Sequence, residues 1–153
     1  MGFKLWIIIE ILVLCLSEEI EQLQLNPSTL EIRKSANYYI SIRNPSPIPQ
    51  NGKIKVSFPS EFQPLNSDSS SCSVIYNINP QATCEFEGNT VYIIDGFPES
   101  HEGGSVSFIV NSVPNPDFAS ESGSFQIFTL DETDSVIDSK TDGLTLKFEP
   151  KPL

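Results

Sequence analysis

The sequence predicts an all-β domain, an antiparallel sandwich or barrel of seven to nine strands, and three observations carry that expectation. Apolar and polar residues alternate along most of the chain, which is how a strand with one buried face reads. The turn dipeptides Asn51-Gly52, Gly88-Asn89, Asp95-Gly96 and Asp142-Gly143 punctuate it, placing residues that tolerate left-handed backbone between short strands. No stretch has a convincing helical period, and only Asp117–Ser122 offers a single helical turn. At 153 residues the chain has room for one domain.

Taken from the N-terminus, residues 1–17 read as a secretory signal peptide. Lys4 gives a positive start, Leu5 to Leu16 is almost wholly apolar, and Cys15 and Ser17 set small side chains before a cleavage after Ser17. Glu10 within the run opposes insertion. A buried N-terminal element or a membrane anchor are the other readings, but a span needs roughly 20 apolar residues. The domain plan is therefore a signal peptide at 1–17 and a mature domain at 18–153, secreted and not membrane-spanning after cleavage.

Glu18–Leu25 is expected to offer an edge to another subunit, because an unpaired edge is a template for a further strand. In Asn37–Asn44, Tyr38, Ile40 and Ile42 point one way and Tyr39, Ser41 and Arg43 the other. In Lys53–Phe58, Ile54, Val56 and Phe58 alternate with Lys55 and Ser57. Asn66–Ser73, with its run of serines, reads as an exposed loop. Cys84 and Phe86 face inward against Glu85 and Glu87, and the more uniformly apolar Thr90–Ile94 suits a central strand. Val106, Phe108 and Val110 continue the pattern, as do Phe125 and Ile127. Leu144, Leu146 and Phe148 close it against Thr145, Lys147 and Glu149. Asn-Pro pairs at Asn26, Asn44, Asn79 and Asn115 mark strand ends, since proline donates nothing to a ladder.

Signal removal takes Cys15 and Trp6, leaving Cys72 and Cys84 as a pair. An even count in an exported chain reads as a disulfide, worth about 2–4 kcal/mol. Metal binding by these two lacks a CxxC spacing or a nearby histidine.

Twenty acidic residues against nine basic ones give a formal charge of -11, which argues against nucleic acid or an anionic membrane as partner. Five of the nine basic residues fall in Arg33–Lys55, while Ser57–Ser139 holds thirteen acids and no lysine or arginine. Arg43, Lys53 and Lys55 are expected on neighbouring strands as a basic contact patch favouring head-to-tail association. Salt bridges within the domain are the alternative.

Chemistry-bearing constellations are scarce. His101, the one histidine, sits in a polar loop beside Ser100, and Glu85 and Glu87 share an outward strand face. No G-x-S-x-G, P-loop or H-E-x-x-H pattern occurs, so neither catalysis nor a cofactor is expected. Asp131, Asp134 and Asp138, with Glu132 and Asp142, form a weak calcium candidate. Calcium needs six to eight oxygens, and this spacing is not that of an EF-hand loop.

The stretch Asn44–Phe62, the two cysteines after it, Gly103–Pro116 and Ser124–Asp131 together resemble the immunoglobulin-like β-sandwich modules of secreted and surface proteins of protists, ciliates especially. The resemblance covers about residues 23–149. It implies an extracellular structural or adhesive role, with other extracellular proteins or copies of the chain itself as partners. A small secreted carbohydrate-binding module is the alternative. Lacking tryptophan after cleavage, it would use Tyr39 or Tyr92 as its flat aromatic.

Overall fold

The computed structural model describes residues 18–66 and 68–153; the expected signal segment, Cys15 included, lies outside them. Ten strands form two sheets. They are β1 (Glu18–Glu19), β2 (Glu21–Pro27), β3 (Ser35–Asn44), β4 (Lys53–Ser57), β5 (Ser71–Tyr76), β6 (Thr83–Glu87), β7 (Thr90–Ile94), β8 (Gly104–Pro114), β9 (Gln126–Leu130) and β10 (Val136–Lys140). Sheet A runs β1-β10-β9-β4-β7-β6 and sheet B runs β2-β3-β8-β5. All neighbours are antiparallel except β1 and β10. The order β2-β3-β8-β5 reproduces A-B-E-D of an immunoglobulin-like sandwich, and β4-β9-β10 reproduces C-F-G. The β6–β7 hairpin is an extra pair added beside β4.

The alternation of β3 is realised: Ala36, Tyr38, Ile40, Ile42 and Asn44 are buried while Ser35, Asn37 and Arg43 are exposed. Between the sheets, Tyr38, Ile40, Ile42, Ile54, Val56, Val91, Ile93, Val106, Phe108, Val110 and Ile127 lose all contact with solvent. One end of the core is aromatic, with Tyr38, Phe58, Phe62, Phe125 and Phe148 meeting at centroid distances of 5.1–6.1 Å, mostly edge to face as ring quadrupoles favour.

Four sequence expectations are corrected. Among the described residues the strand count is ten, not seven to nine. The serine-rich stretch from Asn66 becomes strand at Ser71, because its serines take the solvent face of β5 while Cys72 and Val74 pack inward. Asp117–Ser122 forms no helical turn. Leu144–Glu149 makes only isolated bridges. There the Ser124 and Ser122 hydroxyls accept from the amides of Leu144 and Leu146 at 3.2 and 3.0 Å, replacing the carbonyls a regular ladder would present. Glu18–Leu25 does lie at the sheet edges: β1 pairs only with β10 and β2 only with β3 among the described residues, each as the outermost strand of its sheet.

Cys72 and Cys84 are joined, with Cα atoms 6.0 Å apart. The bond ties β5, the edge of sheet B, to β6, the edge of sheet A, and so closes one open side of the sandwich.

Candidate functional site

The loop residues put forward from sequence are each engaged structurally. Asp131 Oδ1 accepts from Thr133 N, Thr133 Oγ1 and Ser135 N at 2.8, 2.7 and 2.9 Å, so the carboxylate caps the β9–β10 turn. These donors, the Thr133 hydroxyl foremost, hold its carboxyl below the usual aspartate range. Asp134 accepts from Lys53 Nζ at 2.7 Å. Asp138 is fully buried and accepts from Ser46 N and Ser46 Oγ, both at 2.9 Å. Each of the three carboxylates is spent on its own partners, and they do not converge. Among the described residues no group of three or more Asp, Glu, His or Cys side chains is placed to hold a metal ion. The calcium candidate is corrected accordingly.

The basic patch is also corrected. Arg43 lies exposed on the outer face of sheet B, whereas Lys53 and Lys55 lie on the outer face of sheet A. Strand parity located each side chain, but the chain crosses from one sheet to the other between β3 and β4. Arg43 and the two lysines therefore face opposite directions.

His101 is pinned by its backbone, which exchanges hydrogen bonds with Ile48 at 2.8 and 2.7 Å. Its ring packs edge-on against Phe97 at 5.9 Å, and Nδ1 is buried without a partner among the described residues. No hydrogen bond joins Ser100 to the ring among the described residues, so a nucleophile–base pair is not assembled. Glu85 and Glu87 project outward from β6, exposed and without an ion pair among the described residues.

The most distinctive surface is the outer face of sheet A. Register aligns Glu85 (β6), Tyr92 (β7), Lys55 (β4) and Phe128 (β9) in one row across four strands. Lys55 Nζ lies 5.8 Å from the Tyr92 ring centre and 5.1 Å from that of Phe128, so the ammonium is flanked by two π faces. Lys53 lies one pleat further along β4. Its hydrogen bond to Asp134, with Glu85 and Glu132 nearby, raises its pKa above the usual lysine value. A groove of about 620 Å³ lies over Tyr92, Ile94, Lys53, Glu85 and Glu87, and a hollow of about 120 Å³ adjoins it over Phe128, Lys55 and Val136. Val136 is 47 % exposed. Phe128 carried a legible signal, since it alternates with the inward Ile127; its place beside Lys55 depends on a pairing between strands over seventy residues apart. Tyr39, the other aromatic considered, lies on sheet B, flanked in register by Asn26 and Ile109.

No family model matches the chain, and no curated protein matches it in sequence. Among solved structures it is similar to the bacterial hydrophobin BslA at TM-score 0.46 and 12 % identity, covering 87 % of this chain and 98 % of that one. It is similar to a type II cohesin domain from the cellulosome of Acetivibrio cellulolyticus at TM-score 0.41 and 8 % identity, covering 90 % and 93 %. The collagen-binding domain of a Staphylococcus aureus adhesin is similar at TM-score 0.38 and 9 % identity, covering 85 % and 97 %. At such values these likenesses carry no functional weight, and the fold assignment stands on the strand order given above.

Proposed function

We propose that this protein is a secreted β-sandwich module without catalytic activity, structural or adhesive, that acts through contacts of its sheet faces with other extracellular proteins or copies of itself. The observation that carries the reading is the half-buried Tyr92–Lys55–Phe128 row on the outer face of sheet A. Aromatic and cationic side chains together are the residue types that anchor contact surfaces. A disulfide between sheet edges suits an oxidising compartment, and the signal-like segment 1–17 supplies the route there.

A carbohydrate-binding role is the second reading, favoured by Tyr92 at the floor of a groove fenced by Glu85, Glu87 and Lys53. Against it, Lys55 already occupies the space between the two rings, which leaves a sugar less open aromatic face.

The test is light scattering of the secreted chain over a concentration series, paired with binding to immobilised extracellular matrix proteins and to a glycan array. Self-association or protein binding supports the first reading and glycan binding the second. A monomer that binds neither overturns both. Calcium is expected to leave every result unchanged, because the carboxylates of Asp131, Asp134 and Asp138 already have partners.

A further inference from the structure

We propose that the outer face of sheet A pairs with the same face of a second copy across a two-fold axis running along β7, with Lys55 of each copy meeting Glu85 of the other. The proposal rests on the reading of the chain as a contact module and names the surface and the partner. Its basis is the row Glu85–Tyr92–Lys55, in which β7 stands between β6 and β4. Strands lie about 4.8 Å apart, so Glu85 and Lys55 are roughly 10 Å apart with Tyr92 midway. A two-fold axis parallel to the strands over Tyr92 carries each charge onto its opposite and lays the two Tyr92 rings together. That is the self-complementarity an isologous interface requires.

The charges are available for this role. Lys53 is bound to Asp134, but neither Lys55 nor Glu85 makes an ion pair among the described residues. Tyr92 and Phe128 hold the Lys55 ammonium in place between them, which reduces the rotamer entropy lost on contact. A soluble polyanion would satisfy Lys55 yet set its own charge beside Glu85 and Glu87; a second copy satisfies both signs at once. Repulsion between two chains of net charge -11 is screened at 0.15 M salt, where the Debye length is about 8 Å, while pairs in direct contact persist. The patch is small, three strands by five residues or about 14 by 17 Å. It therefore belongs with interfaces below about 1,200 Å², which are weak and reversible.

Sedimentation velocity of the full chain, expressed through a secretory pathway and studied in physiological salt up to millimolar concentration, tests the proposal. The wild type is expected to approach a dimer. Lys55→Glu and Glu85→Lys are each expected to weaken association by on the order of tenfold or more, through like charges set face to face. Mixing the two variants in equal amounts restores it, because both contacts then become Lys–Glu pairs. Arg43→Glu carries the same charge change as Lys55→Glu on the opposite sheet and is expected to leave dimerisation unchanged. A wild type that stays monomeric overturns the proposal, as does a mixture that fails to recover. A monomer retained on an acidic polysaccharide column through Lys55 also overturns it and assigns the face to a polyanion. Oligomers indifferent to both reversals overturn it while leaving the contact-module reading intact. That reading falls only if the chain is monomeric and binding to matrix proteins is absent as well.

Discussion

Asn115 holds together a corner of the molecule that no surface feature announces. It is buried; its Oδ1 accepts from the Tyr38 hydroxyl, and its Nδ2 donates to the Thr29 and Glu31 carbonyls at 3.0 and 2.9 Å. Truncation strands the buried Tyr38 hydroxyl and takes a donor from each of the two carbonyls, so Asn115→Ala is expected to cost about 2–3 kcal/mol in urea unfolding. Tyr38→Phe, which strands only the Asn115 oxygen, is expected to cost less. Burial also pushes the Tyr38 phenol far above the usual tyrosine value. A raised folded pKa stabilises the native state below the ordinary value, and that contribution is lost only as pH rises through the raised one. Phenolate absorbance is therefore expected to show one tyrosine that ionises only when the protein unfolds in alkali. The sequence marked Asn115 as a strand end through its proline, and Tyr38 as inward through parity. Neither signal reveals that two residues 77 positions apart share a hydrogen bond.

At the scale of elements, the Asn51-Gly52 turn behaves differently from a simple glycine turn. In Asn51-Gly52 the left-handed residue is Asn51, at φ 61°. Gly52 is needed for space instead: a Cβ there would sit 2.8 Å from the Leu130 carbonyl oxygen and 2.5 Å from the Ile48 side chain. Gly52→Ala is expected to destabilise by about 1–3 kcal/mol through overpacking, readable as a lower thermal midpoint. The disulfide is the other element-level device. Its ring spans a sequence separation of 12, and Cys72→Ser/Cys84→Ser is expected to lose about 2–4 kcal/mol in denaturant titration. Pairing of the two cysteines followed from their count, whereas their bridging of the two sheet edges depended on β5, a strand hidden by its serines. The reverse error occurred at Leu144–Glu149, where perfect alternation produced no regular ladder because serine hydroxyls took the place of backbone acceptors.

Across the whole molecule, net charge and the acid-rich turns set the response to solution conditions. A charge of -11 repels itself in the compact state, so raising salt from a few millimolar to physiological strength is expected to raise the melting temperature. On acidification the opposing factor is Asp131. Its folded-state pKa is depressed by the Thr133 and Ser135 donors, so its contribution is complete above the ordinary aspartate value, about 3.9. It is then lost as pH falls through the depressed value. Urea unfolding as a function of pH is expected to show that acid loss in the wild type and a shallower one in Asp131→Asn. Composition, strand parity and turn residues by themselves determined the all-β class, the inward faces of β3, β4 and β8, and the pairing of Cys72 with Cys84, because each depends on neighbours in sequence or on a simple count. Only the tertiary structure decided that Arg43 and Lys55 face opposite ways, that Asp131, Asp134 and Asp138 never meet, and that Lys55 stands between Tyr92 and Phe128. Those outcomes depend on which sheet each strand joins and in what register, and register is set by packing between residues far apart in the chain.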